Sequence, residues 1–412
     1  MAAETVLAGW ASADITPGLP CRLAGYADRA EPARGVHDPL FAEALALGTP
    51  EQLVVVVVCD VVAVDSTVVA EIRRRVSVTS PRATVWIGAT HTHSGPELHG
   101  NQVTERIVNG ASRAAEQAIG AMQPVVAGWA SGRVTGVAGN RDHPDRLVNL
   151  TLDLVTLTLA DTPHAAPAAV FGTFACHPTV LGADNLYVSA DLTGAIRRQL
   201  RTYLAPPAWV SLATGAAGDI STRHVRREQT FEEVERLAAV AVERAVTILG
   251  CRRPIRLGRP VISQRVVRPD TKRLEASVGL EQARLELLRQ RDVLLRAGNA
   301  RQARTCETAL QGLALSGAPN SPVQAELSVA GLGDLTLIAV PGELYHELGT
   351  TITYRSGPKL LLGYTNGYIG YIPTRAAYAD AWIMKFLPAI WRQERASDWL
   401  PLRAGSWTRH GG

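Results

Sequence analysis

Cysteine is scarce and scattered in this 412-residue chain. Cys21, Cys59, Cys176, Cys251 and Cys306 are odd in number and never form a CxxC pair, which argues against both a disulfide framework and a cysteine-rich zinc knuckle. The compartment that fits is the reducing cytoplasm. Long apolar runs are missing too: the longest, Leu53 to Val58, falls far short of the roughly 20 residues needed to span a bilayer. Nor is there a charge bias to speak of. Lys and Arg number 42 against 38 Asp and Glu, a net charge of +4 with no basic tail, so neither a nucleic acid nor a membrane surface is an expected partner. The start, MAAETVLAGWASADITPG, has no basic stretch followed by a sustained apolar segment, and no secretory leader is expected.

What the chain does have is apolar mass, 46% of its residues, enough for a substantial core. Short runs rich in Val, Ile, Leu and aromatics predict strands over 53–58, 84–87, 152–159, 169–175, 209–212, 335–340 and 360–363. Helical spacing predicts helices over 67–76, 106–121, 194–203 and 231–249. Strands interleaved with helices imply an α/β fold with a mixed, largely buried β-sheet flanked by helices. Residues 273–313 are dense in charge at helical spacing and read as a helical insertion within a single domain spanning 1–412, stabilised by pairs such as Glu286 with Arg289.

The polar residues fall where strands end. The 84–87 strand runs into GATHTHSGP with His91 and His93, the 169–175 strand into His177, the 209–212 strand into Gly215-Ala216-Ala217-Gly218-Asp219, and the 335–340 strand into Pro341-Gly342-Glu343. In an α/β sheet ligands bind beyond the carboxyl ends of strands, so these residues are candidates for one site. If His91 and His93 continue the strand, they share a face. Two such imidazoles are metal ligands, an acid/base pair, or two polar residues closing a strand, and HxH alone does not choose. Cys176 beside His177 offers a thiol, but its apolar neighbours Phe174 and Ala175 favour a buried small hydrophobe.

An ordered series of motifs resembles the catalytic domain of the neutral ceramidases across most of the chain. It comprises Ala13-Asp14-Ile15-Thr16-Pro17, Leu23-Ala24-Gly25-Tyr26, Gly35-Val36-His37-Asp38-Pro39-Leu40, ATHTHSGP at 89–96, Asn140-Arg141, His177-Pro178-Thr179 and Ser189-Ala190-Asp191, then Gly218-Asp219-Ile220-Ser221, Val340-Pro341-Gly342-Glu343 and Asn366-Gly367-Tyr368-Ile369-Gly370-Tyr371. The resemblance implies a zinc (Zn²⁺) site made by His91, His177, Glu343 and Tyr371, with Tyr368 and Tyr378 as packing residues. A phenolate ligand needs the dication to lower its pKa from about 10. The resemblance also implies that His93 moves protons without ligating, and that Arg141 holds the polar head of a substrate or an oxyanion. On residue type alone, Arg141 reads as a loop salt bridge with Asp142 and Asp145. Asp219 orients a histidine or the loop.

Departures from the family pattern bear on substrate more than on chemistry. The family's serine element loses its Pro-Asn here, so Ser221 reads as the cap of a following helix rather than a nucleophile. The Gln-x-Tyr-Glu segment is replaced by Ala381-Trp382-Ile383-Met384, and aromatics amount to 5%. The sequence runs only a few residues past Trp407, and the family's immunoglobulin-like carboxy-terminal domain is not expected. The expectation is a metal-dependent hydrolase, activating water to cleave the amide of a small or amphiphilic N-acyl compound other than membrane ceramide. Its rivals are a true ceramidase, an esterase or lactonase, and a catalytically silent metal-binding protein. His37, His99, His143, His164, His224, His346 and His410 carry no matched role.

Overall fold

The structure, a computed structural model, describes residues 6–26, 29–98, 101–204, 208–268, 278–298, 324–354 and 356–379, together with residues 303, 306 and 310. Its centre is a nine-stranded mixed sheet in which parallel pairs lie at the two edges, Trp209–Thr214 on Ala169–Phe174 and Gln52–Cys59 on Ala83–Ala89, with antiparallel strands between them. Those intervening strands include Leu7–Asp14, Phe41–Thr49 and Gln123–Arg133, which the apolar runs did not predict. Their small residues explain both the omission and the fit: at Gly9 a Cβ would stand 2.1 Å from the Ala118 carbonyl oxygen, so the helix Asn101–Gly120 lies directly against the strand.

The strand Gln52–Cys59 shows why its sequence is apolar throughout. Val55, Val57 and Cys59 pack under the helices Ser66–Thr79 and Asn101–Gly120, whereas Val54, Val56 and Val58 face the opposite way. A strand buried on both faces loses the alternation of a half-exposed one, and each fully buried side chain of this kind contributes about 1.5–3 kcal/mol. The helices Asp191–Tyr203 and Phe231–Gly250 cover the other half of the outer face through Leu192, Ile196, Leu237 and Ala241.

The inner face is covered by a second sheet of four strands, Val261–Val267, Ala325–Leu332, Leu335–Ala339 and Lys359–Leu362. Leu337 and Leu360 of that sheet share one core with Trp86, Phe171 and Trp209 of the large one. The large sheet also brings its far edges near each other, since Thr214 Oγ1 donates to the Thr90 carbonyl oxygen at 2.7 Å. Strand ends distant in sheet order thus meet on one rim. Of the insertion expected over 273–313, the helix Val278–Arg296 is described, and most of the remainder lies outside the described residues, as do His99, His410 and the 381–384 segment. Among the described residues no helix is long and apolar enough to cross a membrane.

Candidate metal centre

The strand Ala83–Ala89 stops before the histidine pair. Thr90 and His91 donate their backbone N–H to the carbonyls of Cys59 and Val61 at 2.9 and 3.0 Å, and His91 turns into the left-handed region with φ 66°. The expected continuation of the strand is therefore replaced by a tight turn. It nonetheless brings the two rings together, with Nε2 of His93 3.3 Å from Nε2 of His91. His91 Nδ1 lies 2.6 Å from the Val62 carbonyl oxygen, a contact that requires the proton on Nδ1 and leaves Nε2 as a bare lone pair.

His177 is oriented by the same device. Its Nδ1–H is shared between the carbonyl oxygens of Ala217 at 2.6 Å and Ile220 at 3.1 Å. Its Nε2 then stands 2.9 Å from Glu343 Oε2, and His91 Nε2 is 3.5 Å from the same oxygen. Burial pushes the His177 pKa down to about 4, a shift that Glu343 only partly offsets. Burial would raise the Glu343 carboxyl, yet His91 and His177 hold it well below its ordinary value. Near neutral pH the uncharged His177 thus turns its Nε2 lone pair to a carboxylate, an arrangement of acceptors that a cation between them would satisfy. In a tetrahedral zinc site with bonds of about 2.1 Å, donor atoms stand about 3.4 Å apart, so the observed spacings fit a metal ion. The donor atoms of His91, His93 and His177 all lie within 4.8 Å of one another, a buried group of three histidines that could hold a metal.

Glu343 and Tyr371 are direct partners in a short parallel ladder, Glu343–Leu344 on Tyr371–Ile372. Burial raises the Tyr371 phenol and Glu343 reinforces the shift, while Arg141 opposes it; the Arg141 guanidinium carbon lies 5.2 Å from the Tyr371 ring centroid. Tyr368, expected to pack, also donates its hydroxyl to Glu343 Oε1. Close packing brings these segments together. A Cβ on Gly218 would stand 2.4 Å from the Glu343 carbonyl oxygen, and one on Gly25, at φ +95°, would stand 2.4 Å from Cγ of His93.

Arg141 is buried, not a surface ion pair with Asp142 and Asp145. Its backbone N–H donates to the Asp219 carbonyl at 2.8 Å. The Asp219 carboxylate accepts from Asn140 Nδ2 and from the His346 backbone N–H, both at 2.7 Å. Asp219 therefore joins three loops and meets no histidine ring of the centre. Ser221 Oγ accepts from the Arg223 N–H at 3.3 Å. It closes a turn and caps no helix, since the next one starts at Phe231; with the Pro-Asn pair gone, the chain stays irregular there. The Cys176 thiol is buried, and burial with Asp191 nearby raises its pKa, which suits a packing residue rather than a nucleophile.

Residues 6–206 match the family model described as neutral/alkaline non-lysosomal ceramidase, N-terminal. Over that stretch, just under half of its length, the chain is similar to a neutral/alkaline ceramidase amino-terminal domain. Its fold is that of the solved neutral ceramidase from Pseudomonas aeruginosa, with a TM-score of 0.72 at 18% identity over 93% of this chain and 72% of that one. A second solved structure, a ceramidase complexed with C2, gives a TM-score of 0.71 at 18% identity over 93% of this chain and 73% of that one. No curated protein matches the sequence.

Two residues of the centre escaped the motif reading. Tyr364 stacks its ring on His91 at 4.2 Å. Arg29 is buried and donates to the carbonyl oxygens of His93 at 2.8 Å, Ala24 at 2.9 Å and Gly182 at 3.1 Å. A signal for Tyr364 existed: Tyr364, Tyr368 and Tyr371 crowd into one glycine-punctuated turn of a chain with nine tyrosines. Arg29 had none, because its partners are backbone carbonyls supplied by distant segments.

Proposed function

We propose that this chain is a metal-dependent amidohydrolase that cleaves the acyl–nitrogen bond of a small or amphiphilic N-acyl compound. The observation that carries the reading is the convergence of bare acceptors, His91 Nε2, His177 Nε2 and Glu343 Oε2, each imidazole fixed by a backbone carbonyl on its other nitrogen. His91, His177, Glu343 and Tyr371 form the ligand set, with zinc as the metal best suited to it. A divalent ion bound there supplies a Lewis acid and makes water at the centre more acidic. The chain's own residues do the rest. His93 is kept uncharged by burial and by His91 and His177; at Nε2 it takes the proton from water and returns it to the leaving nitrogen. Arg141, charged and buried beside Tyr371, faces the oxyanion. The match of residues 6–206 to the ceramidase model supports amide over ester, and the low aromatic content supports a substrate other than membrane ceramide.

A second reading of His93 rests on the 3.3 Å between its Nε2 and that of His91, close to the spacing of two ligands of one ion. Metal content decides between them. His93→Ala that keeps stoichiometric zinc and loses turnover on a panel of N-acyl amides and matching esters supports the proton carrier, whereas loss of zinc makes His93 a ligand. Turnover of esters alone would make the protein an esterase or lactonase, turnover of sphingolipid amides alone a true ceramidase, and zinc without any turnover a binding protein.

A further inference from the structure

Tyr364 is fully buried at 0% exposure, and its hydroxyl has no hydrogen-bond partner among the described residues. That is unusual for a tyrosine, whose O–H finds a partner when buried. Its two neighbours in the turn behave ordinarily, Tyr368 donating to Glu343 and Tyr371 engaging Arg141 and Glu343. The Tyr364 ring lies against His91 at 4.2 Å with 26° between planes and meets the edge of His177 at 6.2 Å. Burial raises the Tyr364 phenol, with Glu343 and Tyr371 reinforcing the shift and Arg141 opposing it, and with the ring stacked on His91 the residue lies beside the polar centre.

The backbone adds a second, independent sign. Tyr364 has φ 52°, a left-handed conformation that is a genuine outlier for a bulky side chain and that persists only where its surroundings enforce it. Here they do: the Tyr364 N–H donates to the Gly342 carbonyl at 3.2 Å and its carbonyl accepts from Ala89 at 3.2 Å. Phenylalanine would fill the same space and stack on the same imidazole without burying an unpaired donor. The hydroxyl therefore serves something other than packing.

We infer that Tyr364 is a substrate-contacting residue, its hydroxyl kept free to donate to an oxygen on the acyl carbon of the bound compound. This rests on the hydrolytic reading above. The oxygen it meets is the one that gains negative charge when the acyl carbon is attacked, and it survives as one oxygen of the released carboxylate. A donor that is unpaired in the free protein and paired only when that oxygen arrives gives its interaction to the reacting state alone, which raises turnover rather than merely tightening binding.

The test compares zinc-loaded wild type with Tyr364→Phe, and with Tyr368→Phe as a second variant, reading zinc content, thermal unfolding, affinity for octanohydroxamate and octanoate by calorimetry, and turnover of an octanoyl amide. Tyr364→Phe is expected to retain zinc, to unfold at the same or a higher temperature because no unpaired donor is left inside, and to bind octanohydroxamate at least tenfold more weakly. Its kcat on the amide should fall about 10²-fold with little change in KM. Unchanged hydroxamate affinity with lowered stability would show the hydroxyl to be satisfied by an internal water and would overturn the inference. If wild type binds hydroxamate but turns over no amide, the hydrolytic reading fails, and the affinity difference between wild type and Tyr364→Phe still decides the role of the hydroxyl.

Discussion

The two arms that meet at the centre are held by different physics. The histidine arm comes from the large sheet, and each ring is locked by main-chain oxygens, Val62 for His91 and Ala217 with Ile220 for His177. The carboxylate and phenol arm comes from the small sheet, and there the side chains hold one another: Tyr368 to Glu343, and Tyr371 beneath Arg141. Main-chain carbonyls cannot be altered without refolding the strand ends, whereas a side-chain partner can be removed singly. The first arm is therefore fixed in position by the fold, and the second can be altered one side chain at a time.

The largest effect should come from cutting the residue common to both arms. Glu343→Ala removes the carboxylate that faces both imidazoles, and it is expected to lose zinc and all turnover while remaining folded, as elemental analysis and circular dichroism would show; a zinc-replete Glu343→Ala protein would remove Glu343 from the proposed ligand set. Next comes Tyr368→Phe, which frees one carboxylate oxygen without altering a proposed ligand. Loss of such a supporting partner weakens metal affinity by about 10- to 100-fold, measurable by competition with a chromogenic chelator. An unchanged affinity would mean that the ladder with Tyr371 alone fixes Glu343.

Acid should act in opposite senses on two buried groups of the metal-free protein. The folded pKa of His177 lies near 4, below its ordinary 6.5, so between those values the unfolded chain binds a proton that the folded chain refuses. Stability from this group is complete above about pH 6.5 and is lost as pH falls through about 4. Asp191 runs the other way: burial raises its carboxyl to about 6 despite the backbone N–H groups of Leu181, Leu192 and Val180, so its contribution declines as pH rises from 3.8 through 6. Thermal unfolding against pH should flatten on the acid side in His177→Ala; an unaltered profile would show that His177 is not the group responsible.

The smallest change tests the clasp between the arms. Asn366, at φ 68°, accepts the Ile87 N–H through Oδ1 at 3.0 Å, and its own N–H donates to the Ile87 carbonyl at 2.7 Å. It thereby binds the turn of the second arm to the strand of the first. Asn366→Ala leaves a buried N–H unpaired and should cost about 1–3 kcal/mol of stability, read from denaturant unfolding.

Much of the scaffold was legible because burial on two faces writes itself as unbroken apolar sequence. The strands at Leu53, Thr84, Leu152, Ala169, Trp209, Leu335 and Leu360 and the four flanking helices fall where the runs predicted them. The strands Leu7–Asp14 and Phe41–Thr49 did not announce themselves, because alanine and glycine there serve close helix contact rather than bulk. In the centre, His91, His93, His177, Glu343, Tyr371 and Arg141 were all named from motif, and they do converge. Tyr364 was signalled only by the crowding of tyrosines in its turn, and the placement of Arg29 was invisible.

The sequence by itself determined the alternation of strands and helices, the buried strands and the identity of the histidines, because apolar periodicity and a short HTH motif are local properties. Only the tertiary structure decided that Tyr368 supports Glu343, that Asp219 ties loops instead of a histidine, and that His91 leaves its strand in a left-handed turn. Each depends on which main-chain oxygen or side chain arrives from a segment far along the chain, and such arrivals are set by the packing of two sheets rather than by any stretch of residues.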